Sequence, residues 1–112
     1  PSADYIANNI INIAKKIKTG SSNTKVFIQT LLPISKKKSR KYYKLYNQRI
    51  RSVNKFIIEN QQKELYSVIN LYPLFVNKKE QLKNNLTYDG LHLNEQGYEV
   101  WSSLIKPITD SL

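Results

Sequence analysis

The 112 residues contain no cysteine and no methionine, only three glycines, and a single histidine, His92. Without cysteine there are no disulfides and no thiolate metal sites, and the composition carries no mark of a redox compartment. One histidine with no cysteine is too few ligands for a zinc centre. No apolar run approaches the length of a membrane span, and the first residues do not read as a signal peptide. A translated chain begins with methionine, so Pro1 is not expected to be the natural start, and any targeting signal is expected ahead of it. Acidic residues are also scarce: eight against eighteen lysines and arginines, a formal net charge of +10. That balance raises nucleic acid, an anionic membrane surface or an acidic polymer as a partner. The lysines are nevertheless spread over nearly the whole chain, as solvated helix faces would place them.

The length suits one small domain with a single modest core. From Ser2 to about Lys18, Ile6, Ile10, Ile13 and Ile17 recur at spacings of three and four, which predicts a helix with those residues on one stripe. Ser2 or Asp4 is placed to cap it, and Gly20 stands where a helix C-terminal glycine is expected. Lys25 to Pro33 is a nearly continuous apolar and β-branched run closed by proline, the pattern of a strand buried on both faces in a parallel sheet. A polar, basic stretch leads into a second predicted helix, about Lys41 to Asn60, with Tyr46, Ile50, Val53 and Ile57 inward and Lys44, Arg51 and Lys55 outward. Leu65 to Leu71 reads as a second buried strand, and Tyr72 to about Leu93 as a loop without clear period. Asn94 then caps a helix whose stripe is Tyr98, Trp101, Ile105 and Ile108, with Pro107 disturbing its last turn. Helix, strand, helix, strand, loop, helix is an α/β order. Two strands leave an uncovered edge and too little sheet for three apolar helix stripes, so further strands are expected from a missing N-terminal segment or a partner chain.

The chemistry concentrates in Tyr88-Asp89-Gly90-Leu91-His92-Leu93-Asn94, just before the last helix. An imidazole on a loop at a helix entrance can take a proton from a hydroxyl and return it to a leaving group. A carboxylate three residues earlier, with Gly90 allowing a tight turn, can reach one ring nitrogen, fix the tautomer and stabilise the imidazolium. For a bare Asp-x-x-His pair, taken without its context, a surface histidine hydrogen-bonded near a helix cap is the preferred reading.

The run Tyr88-Asp89-Gly90-Leu91-His92-Leu93-Asn94-Glu95-Gln96-Gly97-Tyr98 resembles the last conserved block of the SGNH/GDSL hydrolases. Val26 to Pro33 is similar to that family's fourth strand, Tyr46 to Asn60 to the helix after it, and the strand ending in Leu71-Tyr72-Pro73-Leu74-Phe75 to the fifth. The resemblance implies a flavodoxin-like, three-layer α/β/α fold with a parallel sheet, of which residues 1–112 would be the C-terminal half as a single partial domain. It implies serine-dependent hydrolysis of carboxylic esters, with His92 as general base and Asp89 as its orienting carboxylate, and no cofactor or metal. Short acyl esters and O-acetyl groups on carbohydrates are the implied substrates, and members are often exported in bacteria.

The family's nucleophilic serine and oxyanion-hole residues precede the helix with which this chain opens. Ser35 and Ser39 lie in a basic loop and Ser102 and Ser103 on the last helix, so none takes the nucleophile's place, and the chain alone is expected to be inactive. A non-enzymatic remnant or one half of a split enzyme is one alternative. A basic nucleic-acid-binding module is another, its best support being Lys36-Lys37-Lys38-Ser39-Arg40-Lys41-Tyr42-Tyr43-Lys44, where tyrosines that stack on bases interleave with cations that meet phosphates. A solvated loop and helix start, with the tyrosines on the helix's apolar side, is the reading preferred over nucleic acid. In the hydrolase reading the same loop lies near the substrate mouth, where its charge favours an anionic substrate. Asn85-Leu86-Thr87 matches a glycosylation acceptor but lacks a secretory context, and Trp101 is read as core.

Overall fold

A computed structural model describes residues 2–112; Pro1, and with it the expectation about the natural start, lies outside the described residues. The elements run α1 (Ala3–Gly20), β1 (Phe27–Gln29), α2 (Tyr43–Glu59), β2 (Ser67–Ile69), α3 (Tyr72–Phe75), a 3₁₀ turn (Asn84–Leu86) and α4 (Glu95–Asp110). The order is the expected one, with two short helical turns inside the stretch that reads as loop. Elements of three or four residues are shorter than a helical repeat needs to show itself. The chain divides into two compact units, one reaching to Leu31 and including Gln48–Asn70, the other made of Leu32–Asn47 and Leu71–Leu112.

In the first unit β1 and β2 pair in parallel, Phe27 opposite Ser67, Ile28 opposite Val68 and Gln29 opposite Ile69. The Ser67 N–H to Val26 O and Thr30 N–H to Ile69 O bonds, both 3.0 Å, extend the ladder by one step at each end. Parallel neighbours need a crossover, and the chain between these strands runs through α2, so the α/β expectation holds. Ser2 provides the N-cap of α1, its hydroxyl accepting from the Tyr5 N–H at 3.1 Å. The core gathers Ala7, Ile11 and Ala14 of α1, Ile28 of β1, Val53 and Ile57 of α2, and Tyr66. Tyr66 satisfies its buried hydroxyl by donating to Ile57 O at 2.8 Å, and burial pushes its phenol pKa up.

Three expectations need correcting here. The buried stripe of α1 runs through Ala7, Ile11 and Ala14, while Ile13 and Ile17 are exposed at 59% and 41% and Ile6 and Ile10 only flank the core. Small alanines let the helix approach closely, and that turned the buried face away from the larger isoleucines. Strand β1 is not buried on both faces, because Ile28 is enclosed whereas Gln29 is exposed. It is also far shorter than Lys25 to Pro33. At its exit the Leu31 N–H donates to Asn54 Oδ1 at 2.7 Å, and Asn54 Nδ2 donates to Leu31 O at 2.9 Å. An amide side chain thus takes both backbone groups that a longer ladder would pair.

The second unit repeats that device. Asn47 accepts the Ile34 N–H and donates to Ile34 O, each at 2.8 Å, and donates again to Glu80 O at 2.9 Å. Its buried apolar residues include Ile34, Leu71, Phe75, Leu82 and Leu86. Antiparallel bridges join Val76 to Leu82 and Thr87 to Leu93. Helix α4 packs on the Asn84–Leu86 turn and continues through Pro107 to Asp110 instead of breaking there. The tyrosines also depart from expectation: Tyr42 and Tyr46 are each 44% exposed, because buried Asn47 occupies the inward position of the first turns of α2, and Tyr98 of α4 is 59% exposed. Among the described residues no helix is long and apolar enough to cross a membrane.

Candidate active site

The loop between the 3₁₀ turn and α4 is built by short-range hydrogen bonds. Thr87, itself buried, donates its hydroxyl to His92 O at 2.6 Å and accepts the Gly90 N–H at 3.0 Å, which folds residues 87–92 into a tight turn. Gly90 sits at φ +88°, a conformation that L side chains rarely adopt. A Cβ there would also overlap Ser35 Oγ and come within 2.7 Å of Lys38 N, so glycine is required by space as well as by torsion. The Gly90 carbonyl accepts from the Ser35 N–H at 2.9 Å, tying the turn to the segment that follows Ile34.

Within the turn the Asp89 carboxylate holds three groups. Oδ1 accepts the Leu91 N–H at 2.9 Å and the His92 N–H at 2.8 Å, and Oδ2 meets His92 Nδ1 at 2.7 Å. These contacts hold the Asp89 carboxyl well below the usual carboxylate range, the His92 N–H contributing most, then the imidazole, then the Leu91 N–H. Both side chains are open to the surface, 70% exposed for His92 and 47% for Asp89. The two residues singled out from sequence are therefore brought together, oriented as a carboxylate–imidazole pair. With Nδ1 engaged, Nε2 is the nitrogen left to exchange a proton with another group.

The end of the turn is fixed by α4. Asn94 caps it, accepting the Gly97 N–H at 2.9 Å and donating to Asn85 O at 3.0 Å. Gly97 has no room for a side chain, since a Cβ would overlap Leu86 O and crowd Leu93. A shallow cavity of about 340 Å³ is lined by Tyr88, Asn94, Glu95, Gln96 and Glu99, and its lining does not include Asp89 or His92. Among the described residues no cluster of three or more His, Cys, Asp or Glu is arranged to hold a metal ion.

Sequence reasoning missed the supporting residues: Thr87, Ser35, and Gln81, whose Oε1 accepts the Lys36 N–H at 2.9 Å. A threonine three residues ahead of a glycine is a turn-forming signal and could have been found. Nothing local marked Gln81, which acts 45 residues away in sequence. Ser35, next to the turn, is 1% exposed and its Oγ accepts the Lys37 N–H at 3.2 Å, so it is not presented as a nucleophile.

Comparison with known proteins places the chain in a family and a fold. The sequence profile of the GDSL-like lipase/acylhydrolase family matches residues 1–100, a range that contains Asp89, His92 and Gly97. A GDSL-like lipase from Bacteroides thetaiotaomicron is similar with a TM-score of 0.83 and 28% identity, over 99% of this chain and 54% of that one. A protein assigned as an acylhydrolase, from Bacteroides fragilis, shares the fold with a TM-score of 0.83 and 24% identity, over 97% of this chain and 52% of that one. The chain thus spans about half the length of these solved structures. No curated protein matches it in sequence. The profile match over most of the chain, carried on an α/β fold that such proteins share, shows that the chain belongs to the GDSL-like lipase/acylhydrolase family.

Proposed function

We propose that this chain supplies the general base and its orienting carboxylate to a serine-dependent carboxylic-ester hydrolase acting on short acyl or O-acetyl esters. The observation that carries the reading is the 2.7 Å contact between Asp89 Oδ2 and His92 Nδ1. In this mechanism His92 Nε2 removes the proton of a serine hydroxyl as its oxygen attacks the ester carbonyl. Asp89 stabilises the imidazolium, and the proton then passes to the departing alcohol oxygen. Water, deprotonated by the same imidazole, hydrolyses the acyl-serine to release the acid. The nucleophile, the oxyanion donors and the remaining strands come from a segment outside these 112 residues, so residues 1–112 form the C-terminal part of a larger domain. Two findings support that division: the two-stranded sheet, and the half-length coverage of the solved structures.

The test is kinetic, on the full-length gene product with an acetyl ester. His92→Ala lowers kcat/KM by at least about 100-fold, as loss of a general base does. Asp89→Asn lowers it too, without abolishing folding. Activity unchanged by His92→Ala overturns the assignment.

Polynucleotide binding retains one observation in its favour. Tyr42 and Tyr46 are exposed with ring centroids 6.0 Å apart, and Lys41 Nζ lies 5.2 Å from the Tyr42 ring. Salt-sensitive binding of single-stranded polynucleotide that Tyr42→Ala weakens supports that reading; absence of binding at low salt removes it.

A further inference from the structure

From Tyr5 to Ile58 the chain has no acidic residue but thirteen of its eighteen cations. Six of them, Lys36, Lys37, Lys38, Arg40, Lys41 and Lys44, fall in one stretch of the second unit, and this stretch is built onto the candidate active site. The Ser35 N–H holds Gly90 O at 2.9 Å. The Lys38 N–H returns to Ser35 O at 3.0 Å, and the Lys36 N–H is held by Gln81 at 2.9 Å. A Cβ placed on Gly90 would lie 3.2 Å from Lys37 Cβ, so the root of the Lys37 side chain stands against the residue between Asp89 and Leu91. The fold uses the backbone of these lysines and leaves their side chains exposed. Among the described residues Lys36, Lys37 and Lys38 form no ion pair. The only carboxylate in the turn, Asp89, is committed to His92 and two backbone N–H groups.

We propose that the Lys36–Lys38 segment, fixed on Gly90, selects esters that carry a negative charge near the scissile bond, such as a carboxylate, phosphate or sulfate. This inference rests on the hydrolase reading above and names its substrate class. A cation about 10 Å from an anionic group in water changes its binding by about twofold, so three lysines together contribute roughly tenfold at low salt. Screening removes most of that near 0.5 M salt, where the Debye length is about 4 Å.

The experiment compares the acetyl esters of meta-hydroxybenzoate and meta-hydroxybenzamide, which differ in charge and little in shape, with rates normalised to their alkaline hydrolysis. In the full-length protein kcat/KM for the carboxylate ester exceeds that for the amide ester by roughly tenfold at low salt. The ratio falls toward one at high salt, and also in the Lys36→Gln/Lys37→Gln/Lys38→Gln variant, while turnover of the neutral ester is unchanged. A ratio that neither salt nor the triple variant alters overturns the inference and leaves the hydrolase reading intact. Hydrolysis of neither ester, or of both without dependence on His92, removes the hydrolase reading and this inference with it.

Discussion

Thr87→Val is the most informative single change, because it keeps the shape of the side chain and deletes one oxygen that serves two bonds. In the native turn that oxygen accepts the Gly90 N–H at 3.0 Å and donates to His92 O at 2.6 Å. Gly90 is buried, so its N–H is left without a partner in the variant; that costs about 1–3 kcal/mol. His92 O keeps the longer Tyr88 N–H bond at 3.4 Å and sits on an exposed residue, so losing the hydroxyl there costs about 0.5–1.5 kcal/mol. Together the loss is roughly 2–4 kcal/mol. With a urea m-value of about 2 kcal/mol per molar, the unfolding midpoint drops by roughly 1–2 M at unchanged slope. Thr87→Ser, which retains the oxygen, loses less than about 1 kcal/mol. Equal destabilisation by Val and Ser, or a loss below about 0.5 kcal/mol for Val, refutes the claim that this hydroxyl builds the turn.

Other consequences follow from the same geometry. Gly90→Ala, which meets both a left-handed backbone and the Ser35 and Lys38 atoms, destabilises by at least about 2 kcal/mol in denaturant unfolding. Gly20→Ala, whose Cβ meets nothing within 4 Å, does not destabilise. The Asp89 carboxyl, its folded pKa lowered, contributes stability that is complete above the ordinary carboxylate value of about 4 and is lost as pH falls toward the folded pKa. A carboxyl carbon NMR titration accordingly finds Asp89 still ionised near pH 3, and a midpoint at about 4 contradicts the contacts drawn here. Asn47→Leu removes three bonds from a residue that is 1% exposed, lowers stability by roughly 3 kcal/mol and opens the Leu32–Arg40 stretch to proteolysis. Protease resistance equal to wild type counts against that role.

The legible parts of the fold were those that repeat. Three long helices carry enough periodic residues to declare themselves, and Asp89, Gly90, His92 and Gly97 follow one another closely enough to be recognised as one block. What escaped was set by long-range or polar contacts. Ala7 and Ala14 carry little hydrophobic weight beside Ile13 and Ile17, so the buried face of α1 was displaced in the reading. Asn47 and Asn54 look like solvated residues on an amphipathic helix, yet each spends its amide on the backbone of a distant residue, Ile34 or Leu31. The Asn54 bonds to Leu31 also shortened β1, because a strand ends where its backbone groups find other partners. The exposure of Tyr42 and Tyr46 is the other side of burying Asn47. Gly97 was noticed as a motif residue, but only the close approach of Leu86 O explains why it must be glycine.

The central claim is that His92 activates a serine lying outside these 112 residues. It is tested most directly by treating the full-length gene product with a fluorophosphonate and locating the adduct by peptide mass spectrometry. The account predicts one labelled serine, in the segment preceding this chain, with labelling slowed at least about 100-fold by His92→Ala. An adduct on Ser35, Ser39, Ser102 or Ser103, or labelling whose rate ignores His92→Ala, contradicts it.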